Sequence, residues 1–351
     1  MKPARHQHGA WWGVAVMLLL AAGCRTLPPP EPAEPPVALA EVAMRQGEEI
    51  VVAGRFFPSG TRVITWLDDG GFNAYAPPAD TATTAGSTPD NFGRRNPPGG
   101  PPTPGETAPH DLADLRELVD QFVIHYDSEG LSRRCFEVLQ KRRLSAHFLL
   151  DLDGTVYQTL DLRERAYHAT IANSRSIGIE IANIGALGPD ERAKFAEWYQ
   201  RDPGGALHVV PPERLGGPGI RTVDFIARPV RSDRITGEIN GRKLEQYDFT
   251  PEQYAALIRL TAALHHVFPR LTLDCPRDAQ GRIVAGKLSP TEFEHFRGLI
   301  GHFHIQANKV DPGPAFQWDR VIDGARALHA IPADGNPVQE NKVSAPAPGV
   351  K

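Results

Sequence analysis

Three short stretches of this 351-residue chain carry side chains whose types and spacing could do chemistry. The first is Val123-Ile124-His125-Tyr126, an apolar run that ends on an imidazole. The second is Ser176-Ile177-Gly178-Ile179-Glu180-Ile181, in which Glu180 is the single charge. The third is Gly301-His302-Phe303-His304-Ile305, which continues through Lys309-Val310-Asp311-Pro312-Gly313. Neutral imidazoles and a carboxylate suit zinc, and three protein ligands leave a fourth position for water. A carboxylate within an apolar strand costs free energy unless it is paired or functional. Each residue also has a plainer reading. His125 could be a satisfied histidine at the end of a buried strand, Glu180 a strand residue facing solvent, and Lys309 a surface lysine. His302 and His304, two apart on what reads as a strand, face the same way, so either could reach a metal.

The elements that must position these groups are legible from periodicity and turn chemistry. Helices are expected over 114–119 and 132–141, and strands over 121–126, 147–150, 155–158, 176–182 and 299–305. Asp153-Gly154 turns the chain between the strands at 147–150 and 155–158. Thr250-Pro251-Glu252-Gln253 has the form of a helix start, with an N-cap threonine, a proline in the first turn and a glutamine three residues on. Tyr254, Leu257, Ile258, Leu260, Thr261 and Leu264 then recur at helical spacing. Interleaved strands and helices argue for one α/β domain with a central mixed sheet flanked by helices. Residues 111–332 form that domain, with 185–247 a long irregular insertion. Residues 42–76 read as a small N-terminal β element, a hairpin of 49–53 with 62–67 across Pro58-Ser59-Gly60. Residues 77–110, rich in Pro, Gly and Thr, and the tail 333–351 read as disordered.

Residues 1–24 have the form of an export signal. Lys2 and Arg5 precede an apolar run from Trp11 to Ala22, too short to span a bilayer comfortably. The run ends in Leu20-Ala21-Ala22-Gly23-Cys24, which has the form of a lipoprotein signal with Cys24 as the lipidated residue. A Pro-rich tether over 25–41 follows. Arg25 in place of an aspartate leaves outer-membrane delivery, facing the periplasm of a Gram-negative cell, as the expected destination. Of the three cysteines, Cys135 and Cys275 then remain, and in an oxidising compartment they could pair. The net charge of −4 offers no basic field for nucleic acid, and the expected state is a monomer.

Taken in order, the three stretches resemble the type 2 N-acetylmuramoyl-L-alanine amidases, which include phage lysozyme-type amidases and peptidoglycan recognition proteins. Ser145-Ala146-His147-Phe148-Leu149-Leu150-Asp151-Leu152-Asp153-Gly154 and Arg165-Ala166-Tyr167-His168-Ala169 add to the resemblance, which runs from about 118 to 321. It implies one zinc held by His125, His302 and Asp311. The residue after the glycine is the ligand position, which favours His302 over His304. It implies that Glu180 is the general base and proton shuttle and that Lys309 stabilises an oxyanion. His147, His168, Asn173 and His304 become candidate contacts to peptidoglycan or muropeptides. Two departures stand out. Ala146 occupies the position where other members carry a catalytic tyrosine, which puts more weight on Glu180. The segment between His302 and Asp311 is one residue shorter than usual. The alternative is a non-catalytic peptidoglycan-recognition module. A zinc peptidase acting on protein lacks its usual His-Glu-x-x-His helix.

Overall fold

The structure, a computed structural model, describes residues 46–76, 90–97, 111–217 and 219–330. The expected signal, with Cys24, and the expected tether lie outside the described residues. In chain order the elements are β1 (Glu49–Val52), β2 (Arg55–Pro58), β3 (Val63–Thr65), β4 (Phe92–Arg94), α1 (Leu112–Leu118), β5 (Gln121–Tyr126), α2 (Ser132–Lys141), β6 (Phe148–Leu150), β7 (Val156–Gln158), β8 (Glu164–Ala166) and β9 (Ser176–Ile181). The insertion adds α3 (Ala193–Trp198), β10 (Tyr199–Arg201), β11 (Leu207–Val209), β12 (Ile235–Ile239) and β13 (Arg242–Gln246). Then come α4 (Pro251–Val267), α5 (Pro290–His295), β14 (Gly298–Gly301), α6 (His302–Ile305) and α7 (Trp318–Ala330).

Six strands form the central sheet in the order β14-β5-β9-β6-β7-β3, parallel except for the antiparallel β6–β7 pair. Each parallel strand is nearly all apolar because both faces of the sheet are covered. On one face Phe122, Ile124, Ile177, Ile179, Phe148 and Leu150 meet α4 and α7 in the main core. The start of α4 is built as its residues dictate: Thr250 Oγ1 accepts from Gln253 N–H at 3.0 Å, and Gln253 Oε1 accepts from Thr250 N–H at 2.9 Å. On the other face Val123 and Ile300 pack with Ala169 and Leu288, and Leu149 and Tyr157 pack under Cys135 and Leu139 of α2. Cys135 and Cys275 are both free, because they sit in clusters on opposite faces of the sheet.

Four segments differ from expectation. The N-terminal hairpin pairs β1 with β2, across Ala53-Gly54 (φ 50° and 73°), while β3 leaves it to become an edge strand of the central sheet beside β7. The Asp161 carboxylate accepts from both turn amides, which fixes that two-residue turn. Residues 90–97, inside the segment read as disordered, form β4 on β8. The insertion is not irregular: it holds α3 and two hairpins, β10–β11 and β12–β13, over its own small core of Leu187, Phe195, Trp198 and Tyr199. Finally, the strand expected over 299–305 stops at Gly301, and His302–Ile305 is one helical turn. His302 and His304 therefore do not share a face.

Candidate active site

Register brings the first two stretches together. His125 and Glu180 are direct neighbours on the parallel strands β5 and β9, so their side chains leave the same face about 5 Å apart along the hydrogen-bonding direction. Both lie at the carboxyl ends of their strands, where open α/β sheets bind ligands. β14 lies on the far side of β5, and the chain turns into α6 directly after it, which swings His302 over His125. His125 Nδ1 lies 2.8 Å and His302 Nδ1 3.0 Å from one oxygen, Asp311 Oδ2, and the two imidazoles stand at 78° to each other. Single donor atoms from the three residues all lie within 4.8 Å of one another. The second ring nitrogens are also engaged. His302 Nε2 donates to Gln306 Oε1 at 2.7 Å, and His125 Nε2 lies 3.0 Å from His168 Nδ1. Metal-binding histidines characteristically have such a partner on the nitrogen away from the ion.

The electrostatics agree with that donor set. Burial, reinforced by His302, pushes His125 down to about 4, so its imidazole is neutral at pH 7. Burial raises the Asp311 carboxyl, but His302 and His125 outweigh it and hold Asp311 far below the usual carboxylate range. Neutral imidazole and ionised carboxylate are the protonation states a metal requires. Glu180 is opposite in character: burial first, then the charges of Asp311 and Asp127, push it well above the usual range. Among the described residues its carboxylate has no hydrogen bond or ion pair.

These groups line a cavity of about 270 Å³ with His168 and Lys309. The Lys309 ammonium likewise makes no ion pair among the described residues. Gly178 makes room for His168, since a Cβ there would stand 2.5 Å from the imidazole Nδ1. The remaining candidates are not at the cavity. His304 is fully buried, accepting from Gly301 N–H at 2.9 Å and donating to Val284 O at 2.8 Å, so no ring nitrogen is left for a substrate. His147 is equally buried, accepting from Gly178 N–H and donating to Glu164 O; burial pushes it down to about 3. It braces β9 rather than meeting ligand. The Asn173 side chain accepts from His168 N–H and Ala169 N–H, holding the loop that carries His168.

Sequence reasoning missed the residues that hold the cavity's loops. Asn240, at the tip of the β12–β13 hairpin, donates to Phe303 O and Lys309 O at 3.1 and 2.9 Å, which sets the path of the short segment between His302 and Asp311. Gln246 of β13 donates to Pro312 O and accepts from Ala315 N–H. Arg95, just beyond β4, is wholly buried. Its guanidinium donates to the carbonyls of Leu162, Ser174 and Ser176 at 2.9–3.0 Å and of Asn173 at 3.4 Å, pinning both ends of the His168 loop. Arg95→Ala strands several buried carbonyls, each worth roughly 1.5–3 kcal/mol as a charge-assisted bond. It is expected to lower the thermal midpoint by several degrees in a scanning calorimeter and to raise KM through the loosened loop.

An α/β domain that sets two imidazoles, an ionised carboxylate and an unpaired, half-buried glutamate at the ends of its strands has the architecture of a hydrolase. Residues 115–314 match the family described as N-acetylmuramoyl-L-alanine amidase, and the chain belongs to that family. It is a peptidoglycan amidase with the mixed α/β fold of that family. Among solved structures it is similar to the endolysin amidase LysCS from Clostridium intestinale, at 15% identity over 60% of this chain and 86% of that one, with a TM-score of 0.31. It is also similar to AmpD, at 18% over 74% and 97%, TM-score 0.32. A third is E. coli AmiD in complex with anhydro-N-acetylmuramic acid-L-Ala-D-γ-Glu-L-Lys, at 18% over 59% and 57%, TM-score 0.33. No curated protein matches the chain.

Proposed function

We propose that this enzyme is zinc-dependent and hydrolyses the amide between the lactyl group of muramic acid and L-alanine. The observation that carries the reading is the convergence of His125 Nδ1, His302 Nδ1 and Asp311 Oδ2 beside the unpaired carboxylate of Glu180. Those three atoms would hold the ion, and their chemistry fits zinc. When bound, zinc polarises a carbonyl and lowers the pKa of a coordinated water from 15.7 to about 7. Glu180 takes the proton of the attacking water and delivers it to the leaving amine of L-alanine. The Lys309 ammonium stabilises negative charge on the former carbonyl oxygen as the tetrahedral intermediate forms. His168, held against His125 and Ser176, orients the scissile amide. The test is digestion of purified sacculi with and without a chelator: new alanine N-termini in the mass spectrum of the untreated sample only are the expected result. Chelator-insensitive release would remove zinc from the account.

The enzyme is further proposed to be exported and anchored by lipid at Cys24, facing the periplasm from the outer membrane, as a monomer. What supports the export and the anchor is the apolar run ending in Leu20-Ala21-Ala22-Gly23-Cys24. Cys24→Ser is expected to abolish incorporation of labelled palmitate and to leave unprocessed precursor. Normal processing and membrane fractionation of that variant would sink the anchor.

A further inference from the structure

A second cavity, of about 520 Å³, opens beside the first. Tyr126, Ser128, Glu129 and Val310 belong to the linings of both, so it continues the catalytic groove past the end of β5. Its far wall is the 185–247 insertion. Ile184, Leu187 and Trp198 give it an apolar floor. Charges of both signs stand around that floor, and most of them satisfy one another: Lys194 Nζ lies 2.7 Å from Glu191 Oε1, and the Arg214 guanidinium 3.2 Å from Glu197 Oε2. Two are left over. Among the described residues, neither the Arg242 guanidinium nor the Glu129 carboxylate makes a side-chain hydrogen bond or ion pair. Arg242 begins β13, two residues after Asn240, whose side chain is bonded to the 303–309 loop. Its backbone is therefore held in fixed relation to the segment that carries Lys309 and Asp311.

Concave apolar sites use a few polar groups to orient a ligand, and here those groups are one free cation and one free anion. We propose that this cavity is a subsite for the distal part of the stem peptide, with Arg242 taking a carboxylate and Glu129 an ammonium. The proposal rests on the amidase reading above. Past its first alanine, the peptide arm of a muropeptide carries free carboxylates and, at a diamino acid, an ammonium. The sugar strand offers hydroxyls and acetamides, which need neither a bare guanidinium nor a bare carboxylate. The insertion thus adds length selectivity to a site whose chemistry lies elsewhere.

The zinc-loaded full chain is assayed on N-acetylmuramoyl-L-Ala-D-isoglutamate, on the tripeptide extended by L-Lys, and on that tripeptide acetylated at the lysine Nε. The extended tripeptide is expected to be the best substrate, with kcat/KM about tenfold above the other two, the worth of one partly exposed charge-assisted hydrogen bond. Arg242→Glu, a change at an exposed hairpin position, should collapse the preference for the extended peptide toward one. Glu129→Gln should erase the distinction between free and acetylated lysine. Equal kcat/KM of the parent on all three probes overturns the subsite and leaves the amidase standing. An Arg242→Glu variant that keeps the parent's full preference for the extended peptide takes the carboxylate contact away from this cavity and also overturns it. No turnover on any probe sinks the amidase reading and the subsite with it.

Discussion

His302→Ala is expected to lose bound zinc and all measurable hydrolysis, while His304→Ala keeps both. The two histidines are two residues apart, yet the turn into α6 gives them opposite tasks. His302 presents Nδ1 to Asp311 and is fixed by Gln306 through Nε2. His304 points into the protein and spends both nitrogens on Gly301 N–H and Val284 O. Removing His304 should therefore cost thermal stability through an unsatisfied buried amide, with metal content by mass spectrometry still near one zinc per chain. Gln306→Ala falls between them. Losing the partner of a ligating imidazole typically weakens metal affinity about 10–100-fold, and a competition titration with a chromophoric chelator would read that shift. Equal zinc content in His302→Ala and His304→Ala would contradict the ligand assignment.

Glu180→Gln should keep zinc and peptidoglycan affinity and lose turnover by about 10²–10⁴-fold, the usual worth of general acid–base catalysis. The amide is nearly isosteric and still faces the cavity, but it cannot accept the proton of the attacking water. The tyrosine that the resemblance would offer instead is replaced here by Ala146, which is buried. Zinc content, sacculus binding and hydrolysis are measured on one preparation. Near-parental turnover with zinc retained would end the catalytic role of Glu180. Zinc lost together with activity would make it a support for the metal instead.

The parts of this site that sequence reveals are those where local chemistry and tertiary role coincide. β5 and β9 are six-residue, mostly apolar runs that carry His125 and Glu180 to the cavity, and their starts follow from that pattern. The start of α4 follows from its capping box. By contrast, His302–Ile305 is almost wholly buried, and a short buried stretch reads alike as strand or helix. What decides it is the Gly301 amide bonding to the His304 ring, a contact no periodicity records. The β12–β13 hairpin was accessible, because Asn240-Gly241 is a strong turn signal and both residues have positive φ. Its strands are short, charged and half-exposed, which hides them among loop residues. Arg95 is the hardest case: a single arginine in a Pro- and Gly-rich run becomes structural only through carbonyls 67 to 81 residues away.

The central claim, hydrolysis at the lactyl–alanine amide, is tested most directly by turning over a defined N-acetylmuramoyl-L-alanyl peptide in ¹⁸O-labelled water. Attack on the lactyl carbonyl places one heavy oxygen in the muramic acid carboxylate and none in the peptide, which leaves with a free alanine amine. That pair of masses is the expected result. Heavy oxygen in a peptide fragment, with the lactyl–alanine bond intact, would show cleavage at another bond and contradict the account.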